Sequence, residues 1–298
     1  MKEPKVAIVI CSYNQEKLLE KCLQSLYKKT DYKNYKVFFV DDSGSGKIGN
    51  FIKKNFKKAD VTINKKNLGF SGANNVGIKK ALKNYNPCYI LLLSDDTEIV
   101  EKSWLKKLIK VGEKNEKTGI LGCRIRYPNG DLQWFAKKNK IFSFMKKGHY
   151  EKSEEIQKNQ KIKEVIGACF LIKKELIKKI GLLDEKFNPA YGEESDLCFR
   201  AAKKGFEFIY VGETEIVHHG ASSTKELRKL WYIKKRNAIR LEWLNYSFLN
   251  MLKYTLIHFG SALLTKEPLK KLKLLLEAYK ENIKNLNEIK QKRRERNL

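Results

Sequence analysis

An apolar run that ends abruptly in two adjacent carboxylates constrains the fold of this 298-residue chain more than any other feature. The run Tyr89–Leu93 is followed by Ser94, Asp95 and Asp96. A short run without polar alternation is typical of a strand covered on both faces, and Pro87 before it favours a strand over a helix. Ligands of open α/β sheets bind beyond the carboxyl ends of strands, so we expect the two acids at the mouth of a crevice. There they suit a divalent cation that carries a phosphate-containing ligand, although a solvated turn is the alternative.

The same arrangement occurs earlier in the chain. Strand patterns over residues 5–11, 35–40 and 60–63 alternate with segments whose apolar residues follow helical spacing. This alternation predicts an α/β fold with a mostly parallel, doubly wound sheet. The first two strands end in Tyr13-Asn14 and Asp41-Asp42, so we expect these polar groups to meet Asp95 and Asp96 in one crevice.

A glycine-rich loop over residues 67–77 precedes the next helical pattern. Its glycines permit close approach of the backbone to a ligand, and the first-turn N–H groups of a helix can receive phosphate oxygens. The loop matches neither the dinucleotide-binding nor the P-loop glycine pattern. A helix entry capped by asparagine is the structural alternative.

A second group of acids follows Tyr191-Gly192 and consists of Glu193, Glu194 and Asp196. The helix dipole favours acids in a first turn, but it does not require three of them. Further along, His218 lies in a His-His-Gly turn. A lone histidine is more often structural, but one that follows two acidic groups is a candidate metal ligand.

The formal net charge of +28 favours nucleic acid, anionic lipid headgroups or phosphorylated ligands, unless it reflects only a solvated lysine-rich surface. None of the six cysteines forms a Cys-x-x-Cys pair, so we expect a reducing, cytoplasmic location without disulfides or a zinc site. The chain begins directly with a strand pattern, so no signal peptide is expected. No uncharged apolar stretch is long enough to predict a membrane span.

We expect one α/β domain over residues 1–223, with an irregular insertion at about 128–164, and a basic helical extension over 224–298. From residue 225 onward there are 19 lysines and arginines against 7 glutamates. The segment 248–264 is strongly apolar but contains Lys253, His258 and Gly260. It fits an interfacial helix on an anionic leaflet, and thus peripheral attachment to the inner face of the cell membrane. A helical cap packed on the α/β domain is the alternative.

Taken together, the motifs resemble those of inverting, GT-A-fold nucleotide-sugar glycosyltransferases of family 2. The most specific ones are the Asn-x-Gly-Phe-x-x-x-Asn-x-Gly loop from Asn67 and the Gly-Glu-Glu-x-Asp-Leu-x-x-Arg segment from Gly192. The resemblance covers roughly residues 5–240 and is greatest to the branch of rhamnosyl- and galactofuranosyltransferases. It implies a nucleotide-diphosphate sugar as donor and a glycan or lipid-linked hydroxyl as acceptor, with no nucleic acid as partner.

The resemblance also implies roles for individual residues. The positions that match those binding the nucleotide sugar are Tyr13, Asn14, Asp41, Asn67, Gly69, Asn75 and Asp95. Residues 94–96 match the Asp-x-Asp metal motif, in which Asp96 and His218 correspond to the ligands of Mg²⁺ or Mn²⁺. Ser94 replaces the first acid of that motif.

Glu194 matches the catalytic base of the family, which is usually the shorter aspartate, and Glu193 is the other candidate. The implied reaction is one displacement that inverts the anomeric configuration. We expect Glu193 and Asp196 to raise the pKa of Glu194.

Three alternatives stay open at this point. A nucleic-acid-binding protein would explain the charge, but acids in the crevice would repel phosphate unless a metal is present. A nucleotidyltransferase on a similar sheet usually has a glycine-rich loop bearing arginine or lysine after the first strand, which residues 12–14 do not provide. A catalytically inactive relative would bind metal without transferring a sugar.

Overall fold

The computed structural model describes residues 3–134, 154–220 and 230–296. Helices and strands alternate through its first part and helices alone form its last part. The strands are β1 (Val6–Ser12), β2 (Tyr35–Asp41), β3 (Asp60–Ile63), β4 (Tyr89–Leu93), β5 (Thr97–Ile99), β6 (Thr118–Arg126), β7 (Leu132–Trp134), β8 (Gln160–Ile162), β9 (Cys169–Lys173) and β10 (Glu207–His218). The helices are α1 (Glu16–Lys28), α2 (Lys47–Asn55), α3 (Gly69–Asn84), α4 (Trp104–Gly112), α5 (Lys174–Ile180), α6 (Glu193–Lys203), α7 (Leu230–Asn245), α8 (Phe248–Leu263), α9 (Pro268–Lys284) and α10 (Leu286–Glu295).

The described strands form one sheet in the order β3-β2-β1-β4-β9-β6-β10-β5, with β7 beside β6 and β8 beside β10. The first four strands of this order are parallel to one another. β9 runs antiparallel to both β4 and β6, and β5 and β8 run antiparallel to β10. The α/β prediction is therefore confirmed, but the sheet is mixed rather than mostly parallel. An apolar run indicates that a strand is buried on both faces, but it does not by itself show whether the strand runs parallel or antiparallel to its neighbours.

Two apolar layers hold the sheet between helices. On one side, α1 buries Leu19, Cys22, Leu23 and Leu26, whose spacing places them on one helix face against β1, β2 and β4. On the other side, α3, α5 and α6 cover a second cluster that includes Val9, Leu92 and Phe170. Because both faces are covered, β4 is buried along its whole length, as its unbroken apolar run predicts.

Parts of the expected irregular insertion are strands. β7 pairs with β6, and β8 pairs with β10, although each spans only three residues. Strands this short show too little alternation to be identified from their sequence. Residues 135–153 of the expected insertion lie outside the described residues.

β10 is also longer than predicted. The apolar pattern of residues 206–211 predicts a strand that ends well before His218. The structure has one strand of twelve residues whose register shifts between Val211 and Glu215. The irregularity interrupts the apolar pattern, which is why a single strand resembles two pieces in the sequence.

The C-terminal helices pack on one another and on the α/β part. Ile239, Ala262, Leu275 and Ala278 form a small apolar cluster among α7, α8 and α9. A second cluster joins Ile289 of α10 to Leu244 of α7 and to Phe187, which lies just ahead of α6. The basic segment thus includes a cap on the α/β part. In the described part of the chain, no helix combines the length and apolar character needed to cross a bilayer.

Candidate active site

The carboxyl ends of β1, β2 and β4 lie side by side at one edge of the sheet. Ser12 at the end of β1 is opposite Asp41 of β2, and the N–H of Asp42 donates to the carbonyl oxygen of Ser12 at 2.9 Å. β4 runs parallel to β1 on its other side, so Asp95 and Asp96 follow at the same edge. The strand ends therefore meet where the sequence places them.

Asp96 and His218 come together because β5 and β10 are neighbours. His218 pairs with Thr97 across the two strands, and the N–H of His219 donates to the carbonyl oxygen of Asp96 at 2.9 Å. These backbone contacts bring His218 Nε2 to 3.1 Å from Asp96 Oδ1. Burial acts to raise the pKa of Asp96, but the hydrogen bond and charge of His218 outweigh it and lower the pKa below its usual value.

Gln133 of β7 fixes the other side of the histidine ring. Its Oε1 lies 2.6 Å from His218 Nδ1. Since a carbonyl oxygen only accepts hydrogen bonds, Nδ1 donates to Gln133, and Nε2 is the ring nitrogen that faces the Asp96 carboxylate. A side chain at position 220 would crowd Gln133, because a Cβ on Gly220 would lie 3.1 Å from Gln133 Nε2. The sequence analysis did not identify Gln133; its position three residues after Gly130, in a stretch without periodicity, gave no signal.

The geometry of Asp96 and His218 fits a divalent cation. Two ligand atoms that occupy neighbouring corners of an octahedron with bonds of about 2.1 Å are about 3 Å apart, close to the observed 3.1 Å between Oδ1 and Nε2. Within the described ranges, no group of three or more His, Cys, Asp or Glu side chains is arranged to hold a metal. Phosphate oxygens and water commonly complete the coordination shell of Mg²⁺ in proteins.

Asp95 and the residues after β1 line the same edge. Burial raises the pKa of Asp95 to about 7, and the charge of Asp96 acts in the same direction. Tyr13 is 42% exposed, which is unusual for a tyrosine so close to a buried strand. Asn14 is also exposed and adopts a left-handed φ of 59°. Aromatic and amide groups are thus available beside the acids.

The two aspartates after β2 have structural partners. Both Asp41 carboxylate oxygens accept from backbone N–H groups, those of Ser43 at 2.9 Å and Gly49 at 2.7 Å. Asp42 accepts from the N–H groups of Leu68 and Gly69, at 2.9 and 3.0 Å. These contacts hold the start of α3 against the end of β2. The nucleotide-binding role of Asp41 stays a prediction.

The loop before α3 touches the segment that leads to the second acidic group. The N–H of Phe70 donates to the carbonyl oxygen of Pro189 at 2.8 Å. Gly69 has a φ of 71°, and a Cβ there would lie 2.3 Å from Asn188 Oδ1, so only glycine fits. Asn67 Oδ1 accepts from the N–H of Gly69 at 2.8 Å and shapes the same turn.

Asn75 lies inside α3 with its side chain buried. Its Nδ2 donates to the carbonyl oxygen of Leu183 and to Glu185 Oε1, both at 2.9 Å. Its Oδ1 accepts from the N–H of Leu183 at 3.1 Å. All of these contacts go to residues 183–185, so Asn75 positions that turn. Its contact with the nucleotide sugar stays a prediction.

Glu193 and Glu194 begin α6 after Gly192, whose φ is 102°. Burial raises the pKa of both carboxyls, and that of Glu193 is raised well above its usual value by the added charge of Glu194. Glu193 was expected to raise the pKa of Glu194. Instead, a hydrogen bond from Glu193 acts to lower the pKa of Glu194. Asp196 also faces elsewhere, 2.9 Å from Arg200 and 2.6 Å from Arg296. Low exposure, rather than crowding by acids, therefore sets the basicity of Glu194.

Glu194 is connected to the segment that carries Asp96 through the residues just ahead of β9. A Cβ on Gly167 would lie 1.8 Å from Glu194 Oε1, so this carboxylate rests directly on the backbone of Gly167. The neighbouring residue Ala168 accepts from the N–H of Ser94 at 3.1 Å. Two residues of backbone thus separate the carboxylate from the segment that carries Asp96.

Glu164 is a further carboxyl in this cluster that the sequence analysis did not identify. It accepts a hydrogen bond from Ser195, the residue after Glu194. Burial raises its pKa to about 7, and the charge of Glu194 adds to the shift. Its position ahead of β9, next to no recognisable motif, gave no indication that it would join the start of α6.

Helix α7 braces the loop that precedes the acids. Asn237 Nδ2 donates to the carbonyl oxygens of Phe187, Ala190 and Tyr191 at distances of 2.7 to 2.8 Å. Farther along α7, Arg240 lies 2.6 Å from Asp184. The C-terminal segment thus contributes to the geometry of the site as well as packing on the α/β part.

The profile of Glycosyl transferase family 2 matches residues 7–181. The match spans more than half of the chain and includes β1, β2, β4 and the acids that follow them. The chain belongs to glycosyl transferase family 2. Its branch within that family stays a prediction.

Among relatives of this family 2 chain is the O-antigen biosynthesis protein RfbC of Myxococcus xanthus, which is 22% identical over 237 residues. The alignment covers 74% of this chain but 18% of RfbC. Another is the low-salt glycan biosynthesis hexosyltransferase Agl10 of Haloferax volcanii, 27% identical over 161 residues, which are 51% of this chain and 48% of Agl10. The chain therefore spans less than half the length of each of these relatives.

The fold is that of GT-A glycosyltransferases. The mannosyltransferase PcManGT from Pyrobaculum calidifontis, solved with GDP-Man and Mn²⁺, superposes with a TM-score of 0.54 at 14% sequence identity. The superposition covers 94% of this chain and 70% of the PcManGT chain. GalNAc-T7, solved with UDP, GalNAc and Mn²⁺, has a TM-score of 0.58 at 16% identity and covers 81% and 48% of the two chains. Because these sequence identities are low, the structural similarity shows the fold of this family 2 chain and nothing further.

Proposed function

We propose that this chain is an inverting, metal-dependent glycosyltransferase, which moves a sugar from a nucleotide-diphosphate sugar to a hydroxyl of a glycan or lipid-linked acceptor. One observation carries the proposal: Asp96 and His218 lie 3.1 Å apart at the edge of the sheet where Glu194 approaches through β9. The first two would supply an oxygen and a nitrogen ligand, and the third supplies a partly buried carboxylate with a raised pKa. Membership of family 2 supports the same class of reaction.

The donor would bind at the strand ends, with its nucleotide near Tyr13 and Asn14 and its diphosphate toward Asp96. When bound, Mg²⁺ or Mn²⁺ would offset the negative charge that develops on the leaving nucleoside diphosphate. Asp96 and His218 would hold that ion, and Gln133 would orient His218 Nε2 toward it by accepting a hydrogen bond from Nδ1–H.

Glu194 would act as the general base. Its carboxylate would take the proton of the acceptor hydroxyl as that oxygen attacks the anomeric carbon, and the bond to the donor phosphate would break on the opposite side. Glu193 is less suited to this role, because it is only 2% exposed, and burial together with the charge of Glu194 raises its pKa and so favours its protonated form. As a hydrogen-bond donor it would instead hold the Glu194 carboxylate in place.

A direct experiment is to incubate the full chain with nucleotide sugars and Mn²⁺, then determine the anomeric configuration of the product by NMR. Candidate donors can first be selected by the rise in melting temperature that nucleoside diphosphates cause with and without Mn²⁺. We expect a product of inverted configuration and a loss of transfer on chelation. A retained configuration would overturn the single displacement. Release of pyrophosphate instead of a nucleoside diphosphate would identify a nucleotidyltransferase.

A further inference from the structure

Helix α8 leaves a large apolar surface uncovered. Four side chains on one side of the helix are each at least half exposed: Phe248 (73%), Leu249 (75%), Leu252 (51%) and Leu256 (68%). Three more are exposed where α8 turns into α9: Leu263 (57%), Leu264 (90%) and Leu269 (82%). We call these seven side chains the apolar face.

The orientation of α8 is fixed by polar contacts on its opposite side. His258 Nε2 lies 2.9 Å from Glu242 Oε1, and both residues are buried. Lys235 of α7 donates to Ser261 Oγ at 2.8 Å. Ala262 is completely buried beside them in the cluster with α7 and α9. Rotation of the helix to cover the apolar face would leave the buried His258 and Glu242 without partners, which is costly.

The charges around the apolar face indicate what covers it. Lys253 is exposed within α8, and Lys266 and Lys270 are exposed beside the turn into α9. The acid in that turn, Glu267, is already paired with Lys270 at 2.9 Å. The whole chain carries a net charge of +28. A second copy would bring two strongly positive surfaces together, whereas an anionic surface would be attracted.

We propose that the apolar face docks this protein on an anionic lipid bilayer, with α8 lying in the plane of the interface. Leucine and phenylalanine side chains would enter the boundary between headgroups and acyl chains, and the flanking lysines would contact anionic headgroups. α8 spans 16 residues, about 24 Å, which suits a helix lying along the surface. This inference does not depend on the proposed transfer reaction.

The test is flotation of the full chain with vesicles of phosphatidylcholine, with or without phosphatidylglycerol. We expect binding to the anionic vesicles at low salt, weaker binding at high salt, and little binding to phosphatidylcholine alone. The double substitution Leu252→Gln/Leu256→Gln should lower vesicle affinity by about tenfold or more, because it removes two of the inserted side chains. Lys253→Gln should lower it about fivefold through the loss of one headgroup contact.

Val100→Gln is the matched control, since Val100 is an exposed apolar residue at the end of β5, away from α8. It should float like the wild type. All four positions are exposed, so folding should survive, which thermal unfolding can verify. Equal flotation of the double variant and the wild type would overturn the proposal, as would absence of binding to anionic vesicles. A concentration-dependent dimer in sedimentation that the double variant abolishes, without vesicle binding, would assign the face to a second copy instead.

Discussion

The two halves of the candidate site are held in different ways. Asp96 and His218 are joined by the backbone of the sheet, where β5 pairs with β10 and the N–H of His219 donates to the carbonyl oxygen of Asp96. Glu193 and Glu194 instead begin a helix after a glycine, and side chains of the C-terminal helices hold the preceding loop. Asn237 reaches that loop across about 50 positions of sequence, as its contact with Phe187 illustrates.

The contrast has a physical consequence. A sheet ladder resists local change, because each backbone contact is supported by its neighbours in the same strands. A loop braced by a few side chains depends on each of them. We therefore expect substitutions in α7 to alter acceptor chemistry while leaving cation and nucleotide binding intact. The following predictions test this separation, beginning with the largest effect.

Replacing Glu194 with Gln should lower kcat by about 10²- to 10⁴-fold, the usual contribution of a general base. Mn²⁺ and nucleoside diphosphate should bind as before, because those ligands belong to the other half of the site. In the wild type, kcat/KM should fall as the pH decreases through the raised pKa of Glu194, since only the deprotonated carboxylate accepts a proton. Steady-state kinetics across pH would measure both effects.

Glu193→Gln is the matched control for that substitution. Burial and the charge of Glu194 raise the pKa of Glu193 and favour its protonated form, which the neutral amide resembles, so the effect on kcat should be much smaller. If Glu193→Gln and not Glu194→Gln abolished transfer, the two roles would have to be exchanged.

Replacing Gln133 with Met should weaken Mn²⁺ binding by about 10- to 100-fold, the usual cost of losing the partner of a metal-binding histidine. Methionine has a similar length but no strong acceptor for the proton on His218 Nδ1. Gln133→Glu retains an acceptor and should retain affinity. Calorimetric titration of Mn²⁺ in the presence of a nucleoside diphosphate measures this directly. Equal weakening by both substitutions would show that Gln133 only fills space.

Replacing Asn237 with Ala should lower the rate of transfer roughly tenfold, because three carbonyl oxygens of the 187–191 loop lose their shared donor. The affinity for Mn²⁺ and nucleoside diphosphate should change less than twofold by calorimetry. Asn55→Ala is the control, since Asn55 donates only to the carbonyl oxygen of Phe51 within α2. A parallel loss of nucleotide affinity in Asn237→Ala would contradict the separation of the two halves.

The first half of the sheet could be predicted from the sequence because its signals are local. Apolar runs identify β1, β2 and β4, and the polar residues after them identify the edge where the site forms. β7 and β8 could not be predicted, since three residues show no periodicity. The resemblance to the family supplied the candidate pair of Asp96 and His218, while Gln133 became evident only when β7 was seen beside β6.

The second half shows what local patterns omit. The acids at the start of α6 are plain in the sequence, but their partners are not. Asp196 looked like a third acid crowding Glu194, yet it pairs with Arg296, 100 positions away. Glu164 joins the same cluster from outside any motif.

The sequence by itself determined the family, the α/β fold and the positions of the acids, because apolar periodicity and short motifs are properties of neighbouring residues. Only the tertiary structure decided which acids pair with arginine and which have a raised pKa. It also decided which side of α8 stays uncovered. Charge and exposure depend on groups that folding brings from distant parts of the chain, and no local pattern encodes those distances.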